Sequence, residues 1–551
     1  MTNRRSPANS SHDRFINWKE AKLAHARDRL MKVCGLFFIA IFVIGCANLE
    51  KDAADTTSHF RVAGPSAPLA QIVAAGQPDK ELSGFRLFPS GDFALDARLS
   101  LIERAQHSID VQYYHLEADA TGRYFLKALH EAAMRGVRIR LLLDDLYTGG
   151  DDVLLDAFSA TPNVELKLYN PIPVRSANVA FRMLGSLLQF DKVQRRMHNK
   201  LLIVDGAIAI AGGRNIGSRY YYQTPGENFL DLDILVAGAL VPRLGELFDK
   251  FWNSTSAVSF QTLVAPNRPD GERLTLFQAL TSASTTPPPR PPSPNDLLGY
   301  APVSQELKAR RLSLIWAQAD AYADSPDRAR GYKAQYGGVP LQDVDSVRYT
   351  FVEAIRRAKK SVLLFSPYLV PGPYGLQVLK DTRSRGVRVE LITNSLSSND
   401  EPLVHTAYRR YRSKLVAMGV QVDEINSGKI ADSPRLPLFG SSIGRLHTKT
   451  AVVDAELLFV GSMNFDPRSD RSNTELGLFI QSQTLSSQML RLAQVLREQG
   501  VWTVKAGPMG GVEWHGIHKG EATVLHSEPD ASWWDLLRLE ITAPFVPEDL
   551  L

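Results

Sequence analysis

The sequence predicts an α/β protein made of two duplicated domains, each a mixed β-sheet flanked by helices, with the active site at their interface. Three observations predict this fold: a polar motif occurs once in each half, a second repeat surrounds it, and strand-like segments alternate with helix-like ones. The 551 residues are too many for one small domain. Each half is therefore long enough to bury its own core.

The polar motif has the same spacing in both halves. Histidine is followed by lysine two residues later, aspartate seven later and asparagine seventeen later, giving His198, Lys200, Asp205 and Asn215, then His447, Lys449, Asp454 and Asn464. The mostly apolar residues after each lysine predict a strand, a tight turn and a second strand. Because side chains alternate along a strand, histidine and lysine share one face. Two imidazoles, two ammonium groups and two carboxamides should therefore converge.

A second repeat precedes each copy of the motif. The segment Ala105-Gln-His-Ser-Ile-Asp-Val matches Ala358-Lys-Lys-Ser-Val-Leu-Leu, and Arg135-Gly-Val-Arg-Ile-Arg-Leu matches Arg385-Gly-Val-Arg-Val-Glu-Leu. Each half is expected to contain a strand, a helix and a second strand, followed by the motif hairpin. The first three elements are expected at residues 109–113, 120–134 and 137–143 in the first half, and at 362–365, 375–384 and 387–393 in the second. A strand-helix-strand crossover makes its two strands parallel.

This set of side chains fits a phosphate diester better than a metal. Lysine is not a metal ligand, and no carboxylate pair accompanies the histidines. Lysine and carboxamide donors can hold the non-bridging oxygens of a phosphate and stabilise the charge of a five-coordinate transition state. One histidine can attack phosphorus while the other protonates the departing alkoxide. No metal or cofactor is needed for this chemistry.

The doubled motif, with its endings Gly-Gly-Arg-Asn215 and Gly-Ser-Met-Asn464, resembles the phospholipase D superfamily over residues 84–500. Within it, Val-Gln-Tyr-Tyr at 111–114 and Arg-Arg-Met-His-Asn-Lys at 195–200 resemble bacterial cardiolipin synthases of the C type. The resemblance implies a phosphatidyltransferase that makes cardiolipin from phosphatidylglycerol and a second phospholipid through a phosphohistidine. Hydrolysis of phospholipids to phosphatidic acid is the alternative function. A phosphodiesterase or nuclease activity is a third, less favoured one.

The resemblance also implies roles for the motif residues. His198 is the expected nucleophile, and His447 the expected acid and then base. The phosphate is expected to bind Lys200, Lys449, Asn215 and Asn464. Because the two motifs are symmetric and the two imidazoles titrate as a coupled pair, the opposite assignment of the histidines stays open.

A catalytic histidine needs an acceptor at its other ring nitrogen. Glu475 is the family's acid in the second half, and the matching strand register of Asp231-Leu-Asp-Ile-Leu-Val and Glu475-Leu-Gly-Leu-Phe-Ile selects Asp231 in the first, with Glu227 as the alternative. Asp205 and Asp454 belong to the motif's catalytic set, and their place along the hairpin favours a structural role. His115, at a strand end near the site, is expected to be a surface histidine.

Charge and motif integrity separate the classes of function. A net charge of +4 is small for this length and argues against the long basic groove of a nuclease. No motif residue is lost from either half, which argues against a non-catalytic scaffold. The expected partners are phospholipids, namely phosphatidylglycerol with phosphatidylethanolamine as a further candidate, and a membrane, without nucleic acid.

The amino-terminal region resembles a bacterial lipoprotein signal. Residues 33–45 are almost wholly apolar and lead into Cys46, but they are too few to cross a bilayer, so a removable signal segment with lipidation at Cys46 is expected. A short internal helix or an uncleaved anchor is the alternative. Met31 is the expected true start. Ala47, rather than aspartate, after the cysteine favours the outer membrane, and the expected location is the bacterial cell envelope, on the outer membrane or the periplasmic side. Because the only cysteines are Cys34 and Cys46, the folded body has no disulfide.

The expected domain order is a signal region (1–46), a linker (47–83), the first domain (84–265), a Pro-rich connector (266–340), the second domain (341–505) and an apolar tail (506–551). The proline run at 285–294 predicts an exposed loop. Residues 179–190 and 533–551 carry large apolar side chains that either pack in the core or lie in a membrane interface. The core is the favoured interpretation for both.

Overall fold

The computed structural model describes residues 57–172, 174–175, 190–330, 346–431, 443–507, 511–518 and 521–542. The helices and strands all belong to the unit Ser58–Leu551. The predicted signal region with Met31 and Cys46, nearly all of segment 179–190, and residues 543–551 lie outside the described residues.

Twenty strands form in the described ranges. Those of the first half are β1 (Ser83–Phe88), β2 (Ser108–Tyr113), β3 (Arg138–Asp144), β4 (Val164–Tyr169), β5 (Leu201–Val204), β6 (Ile208–Gly212), β7 (Glu227–Leu230), β8 (Asp233–Gly238) and β9 (Ala257–Ser259). The later strands are β10 (Ile315–Ala323), β11 (Ser361–Phe365), β12 (Arg388–Asn394), β13 (Gln421–Ile425), β14 (Ile443–Leu446), β15 (Thr450–Val453), β16 (Leu457–Gly461), β17 (Leu476–Gln481), β18 (Val501–Ala506), β19 (Val512–His518) and β20 (Glu521–Leu525).

The α-helices cover the sheets. Those up to the connector are α1 (Pro68–Gly76), α2 (Gly91–Arg104), α3 (Ala120–Met134), α4 (Asp152–Ser159), α5 (Phe190–Val193), α6 (Val241–Trp252), α7 (Phe260–Leu263), α8 (Asp270–Leu280) and α9 (Val303–Lys308). The others are α10 (Val347–Arg357), α11 (Gly372–Ser384), α12 (Pro402–Ala417), α13 (Ser427–Ala431), α14 (Pro467–Arg471), α15 (Gln483–Gly500) and α16 (Trp533–Thr542).

The two halves repeat one topology, which confirms the predicted α/β duplication. The first sheet has the order β9-β4-β3-β2-β5-β6-β8-β1, and the second has β18-β13-β12-β11-β15-β16-β17 at the corresponding places. In each half the two strands joined by the predicted crossover helix are parallel, with Ile109 opposite Ile139 and Val362 opposite Val389.

The repeated Arg-Gly pair ends the crossover helix in both halves. Asp119 caps the start of α3 by accepting the Gly122 N–H at 2.9 Å. Gly136 and Gly386 then adopt φ of +95° and +84°, a left-handed conformation that glycine takes without a Cβ penalty. This turn leads directly into β3 and β12, so the repeat seen in the sequence fixes where each second strand begins.

Strand β10 joins the two sheets. It pairs antiparallel with β1 along Ile315–Ala317 and with β17 along Gln318–Ala323, so residues inside the predicted connector form part of the sheet. A shared apolar cluster also spans both halves, with Phe248 and Trp252 of α6 and Leu478 of β17 among its members. Residues 285–294 contain no helix or strand and are mostly exposed.

The predicted C-terminal tail contributes β19, β20 and α16. Within α16, Leu539 is buried, but Trp533 and Trp534 are 65% and 63% exposed. The interpretation of the tail as core is therefore wrong for these two tryptophans. No helix in the described part of the chain is long and apolar enough to span a membrane.

Candidate active site

The two motif hairpins place each histidine and lysine just before the first strand of the hairpin. β5 starts at Leu201 and β15 at Thr450, so His198 and Lys200, like their counterparts, precede the strand rather than lie within it as predicted. Each lysine turns back on its own segment, with Lys200 Nζ donating to the His198 carbonyl and Lys449 Nζ to the His447 carbonyl, both at 2.6 Å. Both lysines are buried.

Main-chain contacts across the duplication bring the halves together at the histidines. β14 pairs parallel with β7, and the His447 N–H donates to the Leu230 carbonyl at 2.7 Å. Met197 forms the matching bridge with Thr474, and the His198 N–H donates to the Thr474 carbonyl at 2.9 Å. Each histidine is therefore held beside the strand start of the opposite half.

The histidine–carboxylate pairs are consequently crossed between halves. His198 Nδ1 lies 2.9 Å from Glu475 Oε2, and His447 Nδ1 lies 2.6 Å from Asp231 Oδ2. An ionised carboxylate only accepts hydrogen bonds, so Nδ1–H donates and Nε2 is left for chemistry. The alternative acid, Glu227, instead forms an ion pair with Arg445 at 2.6 Å.

Electrostatics shows that the motif residues form one cluster. Burial, reinforced by Lys200, Lys449 and His447, holds the pKa of His198 well below its usual range. Burial and Lys449 lower the pKa of His447, although Asp231 opposes this. Burial also lowers the pKa of Lys200 to about 7 despite the nearby Glu475. Both imidazoles are thus biased towards the neutral form in the absence of a substrate anion.

The two orienting carboxylates differ in environment. Burial raises the pKa of Glu475 to about 7, and Ser462 Oγ donates a hydrogen bond to its Oε2. Burial also opposes ionisation of Asp231, but His447, Lys449 and Arg214 together more than offset it, so the Asp231 pKa lies below its usual value. Where the second half has Ser462, the first has Gly213, and a Cβ there would meet Asp231 Oδ1 at 2.2 Å.

The two motif asparagines are buried at the same site. Asn215 Nδ2 donates to the Tyr220 hydroxyl at 2.9 Å, and the Tyr220 ring packs edge-on against His447 at 5.3 Å. The Oδ1 atoms of Asn215 and Asn464 are both buried without a hydrogen-bond partner. Since a carboxamide has two N–H donors, Asn215 keeps one for a ligand.

Asp205 and Asp454 hold main chain rather than side chains of the reacting cluster. The Asp205 carboxylate accepts the N–H groups of Gln106, His107 and Ser108 at 2.7–3.1 Å. Asp454 accepts those of residues 359–361 at 2.6–3.2 Å. Each ties its hairpin turn to the start of the neighbouring strand, the structural role that the sequence favours.

Two positioning residues could not be identified from the sequence. Asp144, at the end of β3, accepts the Met197 N–H at 2.7 Å, and Asn394, at the end of β12, accepts the Leu446 N–H at 2.9 Å. Asn394 also donates to the Leu446 carbonyl at 2.9 Å. Both thereby fix the residue that precedes a motif histidine. The one signal that the sequence offers for them is position, because each residue lies at the carboxyl end of the equivalent strand in its half.

Aromatic side chains line the first half of the site. Tyr114 packs edge-on against His198 with centroids 4.9 Å apart, and its ring lies 5.3 Å from Lys200 Nζ. His115 is half-buried rather than a free surface histidine, because it packs against Tyr147 at 4.6 Å. Burial lowers the pKa of His115 to about 4.

A cavity of about 290 Å³ adjoins the second half of the site. Its wall includes Asn464 and is otherwise rich in apolar groups, among them Phe351, Val370, Tyr374 and Phe465. Among the described residues, no group of three or more His, Cys, Asp or Glu side chains could hold a metal ion.

Comparison with known proteins identifies a family. The sequence profile described as "Cardiolipin synthase, PLD-like domain" matches residues 99–252 and 351–496. Cardiolipin synthase C of Escherichia coli (strain K12) is 32% identical over 468 residues, covering 83% of this chain and 94% of that protein. Cardiolipin synthase 1 of Staphylococcus aureus (strain MRSA252) is 25% identical over 406 residues, covering 73% and 65%.

One solved structure shares the fold over most of the chain. The crystal structure of phosphatidylserine synthase from Haemophilus influenzae Rd KW20 covers 87% of this chain and 100% of its own, with a TM-score of 0.55 and 14% identity. At this identity the likeness concerns the fold alone.

Proposed function

The chain belongs to the cardiolipin synthase family with phospholipase D-like domains, and on that premise we propose that it transfers a phosphatidyl group to phosphatidylglycerol through a phosphohistidine. It is a phospholipid phosphatidyltransferase, as its family membership shows. The observation that carries the finer proposal is the pair of crossed histidine–carboxylate hydrogen bonds, which leaves two Nε2 atoms for one phosphate.

In the first step, His198 Nε2 attacks the phosphorus of the donor lipid. The bond from phosphorus to the head-group oxygen breaks, and His447 donates a proton to that oxygen. The strongly lowered pKa of His198 supports its assignment as nucleophile, because a neutral ring has a free lone pair. The negative charge of the bound phosphate raises the pKa of His447 and so favours the proton that it must donate.

Lys200, Lys449 and the two asparagines supply the positive charge and donors around the phosphate. Their burial makes these interactions stronger than they would be in water. Activity is expected to survive EDTA. Loss of turnover on chelation, restored by a divalent ion, would refute this part of the mechanism.

In the second step, His447 takes the proton of the acceptor hydroxyl, whose oxygen attacks phosphorus and releases His198. Apolar and aromatic neighbours such as Tyr114 and Phe229 restrict water around the intermediate. Phosphatidylglycerol is the proposed acceptor, cardiolipin the main product and phosphatidic acid the minor one. Phosphatidylethanolamine is a second candidate donor.

The test is to incubate the purified protein with labelled phosphatidylglycerol and phosphatidylethanolamine and to separate the lipid products. Cardiolipin should exceed phosphatidic acid, and its share should rise with phosphatidylglycerol concentration. Phosphatidic acid dominating at every concentration would make the protein a phospholipase D. Cleavage of nucleic acid without lipid turnover would contradict both functions.

We also propose that the protein is a lipoprotein of the bacterial cell envelope, anchored through Cys46. The support is the apolar run before this cysteine and the lipid class of the substrates. Cys46→Ser should release the protein from membranes or trap its precursor. Fractionation that shows unchanged processing and membrane association would contradict the proposal.

A further inference from the structure

An arginine follows each motif asparagine at the same spacing. Arg219 lies four residues after Asn215, and Arg468 lies four residues after Asn464. The surrounding main chain is also equivalent, because Leu116 bridges Ile216 in the first half and Leu369 bridges Phe465 in the second. The two arginines therefore occupy corresponding places on the two sides of the site.

Their partners differ because one duplicated position has changed. The Glu117 N–H donates to the Ile216 carbonyl at 2.8 Å, and the Val370 N–H makes the same bond to Phe465 at 2.9 Å, so Glu117 and Val370 correspond. Glu117 forms an ion pair with Arg219 at 3.4 Å. Val370 is buried and apolar, and it cannot do this for Arg468.

Arg468 consequently keeps an unused donor beside the reacting cluster. Its Nε is buried without a hydrogen-bond partner, and within the described ranges its guanidinium forms no ion pair. Its carbonyl accepts the Asn473 N–H at 2.9 Å, one residue before Thr474, whose carbonyl holds His198. The positive charge of Arg468 also lowers the pKa of His198, in addition to the larger effects of burial and of the two lysines.

Two of the carboxylates within electrostatic range of Arg468, Asp466 and Asp144, are already bonded to other groups. Asp466 caps its own helix by accepting the Ser469 N–H at 2.7 Å. Asp144 accepts hydrogen bonds from Met197 and Arg196. Arg468 therefore interacts electrostatically with these carboxylates, but it forms no direct ion pair with either of them.

We propose that Arg468 binds the phosphodiester of the acceptor phospholipid, a second anion distinct from the phosphate held by Lys200 and Lys449. This rests on the proposed transferase function. Phosphatidylglycerol carries its own phosphodiester on the same glycerol as the attacking hydroxyl, so the transfer step must accommodate two phosphates. A guanidinium is well suited to the second, because it can donate two parallel hydrogen bonds to phosphate oxygens.

The experiment compares two soluble acceptors with the full chain in detergent micelles. Glycerophosphoglycerol carries the additional phosphodiester and glycerol does not. The wild type should use the former at a lower KM. Arg468→Gln should raise that KM by about tenfold or more, a much larger effect than its effect on transfer to glycerol or on hydrolysis, since one charge-assisted contact to the acceptor is lost. Arg468→Lys should restore part of the preference.

Arg219→Gln is the matched control, because Arg219 is already paired with Glu117. Its acceptor preference should stay within about twofold of wild type. Val370→Glu, which introduces the missing partner, should mimic Arg468→Gln, and thermal unfolding would verify that each variant is folded.

Equal losses of transfer to both acceptors and of hydrolysis in folded Arg468→Gln would overturn the proposal. So would an unchanged KM for glycerophosphoglycerol. If the proposed transferase function itself is wrong, the result is distinguishable, because the wild type would then make no transfer product with either acceptor.

Discussion

The two halves of the site contain the same motif, but they hold their histidines differently. His447 is bound at 2.6 Å by Asp231, whose pKa is lowered, whereas His198 is bound at 2.9 Å by Glu475, whose pKa burial raises to about 7. The longer Glu475 is supported by the Ser462 hydroxyl, and the shorter Asp231 occupies the space beside Gly213.

This difference supports the proposed division of the two chemical roles. An ionised Asp231 stabilises a positively charged His447, which suits the residue that carries the proton. A weaker acceptor leaves His198 neutral, which suits the residue that attacks phosphorus. The duplicated motif contains two equivalent histidines, and the different carboxylates that bind them give the two imidazoles different environments.

The largest effect is expected from removing either histidine. His198→Ala and His447→Ala should each abolish turnover, because each histidine performs an essential step of the proposed mechanism. The two variants should differ with a donor whose leaving group needs no proton, since His447→Ala should still form the covalent intermediate. A rapid product burst from His198→Ala with that donor would instead assign attack to His447.

The orienting carboxylates should give the next largest effect. Asp231→Asn should reduce kcat by about 10²-fold or more, since it loses the charge that stabilises protonated His447. Glu475→Gln should cost less at neutral pH, because Glu475 is already partly protonated there.

The pH profile of kcat/KM should separate these variants further. The rate should fall below pH 7 as Glu475 gains a proton, and above it as Lys200, with its pKa near 7, loses one. Glu475→Gln should therefore flatten the acid limb. An unchanged acid limb in that variant would assign it to another group.

The positioning residues should have smaller effects. Asp144→Ala removes the acceptor of the Met197 N–H, and Asn394→Asp removes the donor to the Leu446 carbonyl, so each loses one hydrogen bond to the residue before a histidine. A displaced histidine should reduce kcat by about 10-fold to 10²-fold with little change in KM. A change confined to KM would show that these residues act on substrate binding instead.

The motif aspartates should affect stability rather than chemistry. Asp205→Ala leaves backbone N–H groups without their acceptor and should lower the free energy of unfolding by about 1–3 kcal/mol. Asp454→Ala should cost less, because Asp454 is partly exposed and water can replace it. Urea unfolding measures both. Unchanged unfolding with lost activity in the folded protein would place these aspartates in the reaction.

Local patterns in the sequence predicted much of the fold. The strand periodicity and the repeated Arg-Gly pair located the parallel strands and crossover helices within a few residues. The matching register of the strands that begin near Asp231 and Glu475 selected two carboxylates that the structure places against the histidines. These features depend on residues that are close in the chain.

Long-range contacts were not visible in the same way. Nothing local indicates that His198 faces Glu475 rather than Asp231, because that depends on bridges such as Met197 with Thr474. Strand β10 was hidden inside a Pro-rich connector, and its pairing with β1 and β17 comes from tertiary packing. The exposed Trp533 likewise shows that large apolar side chains need not enter the core.

The most direct test of the account is to locate the covalent intermediate. The wild type is mixed rapidly with a labelled donor lipid, quenched under alkaline conditions that preserve phosphohistidine, digested and mapped by mass spectrometry. The proposed mechanism predicts a phosphatidyl group on His198. An adduct on His447 would reverse the roles assigned to the two halves, and its absence from both histidines under single-turnover conditions would contradict covalent catalysis.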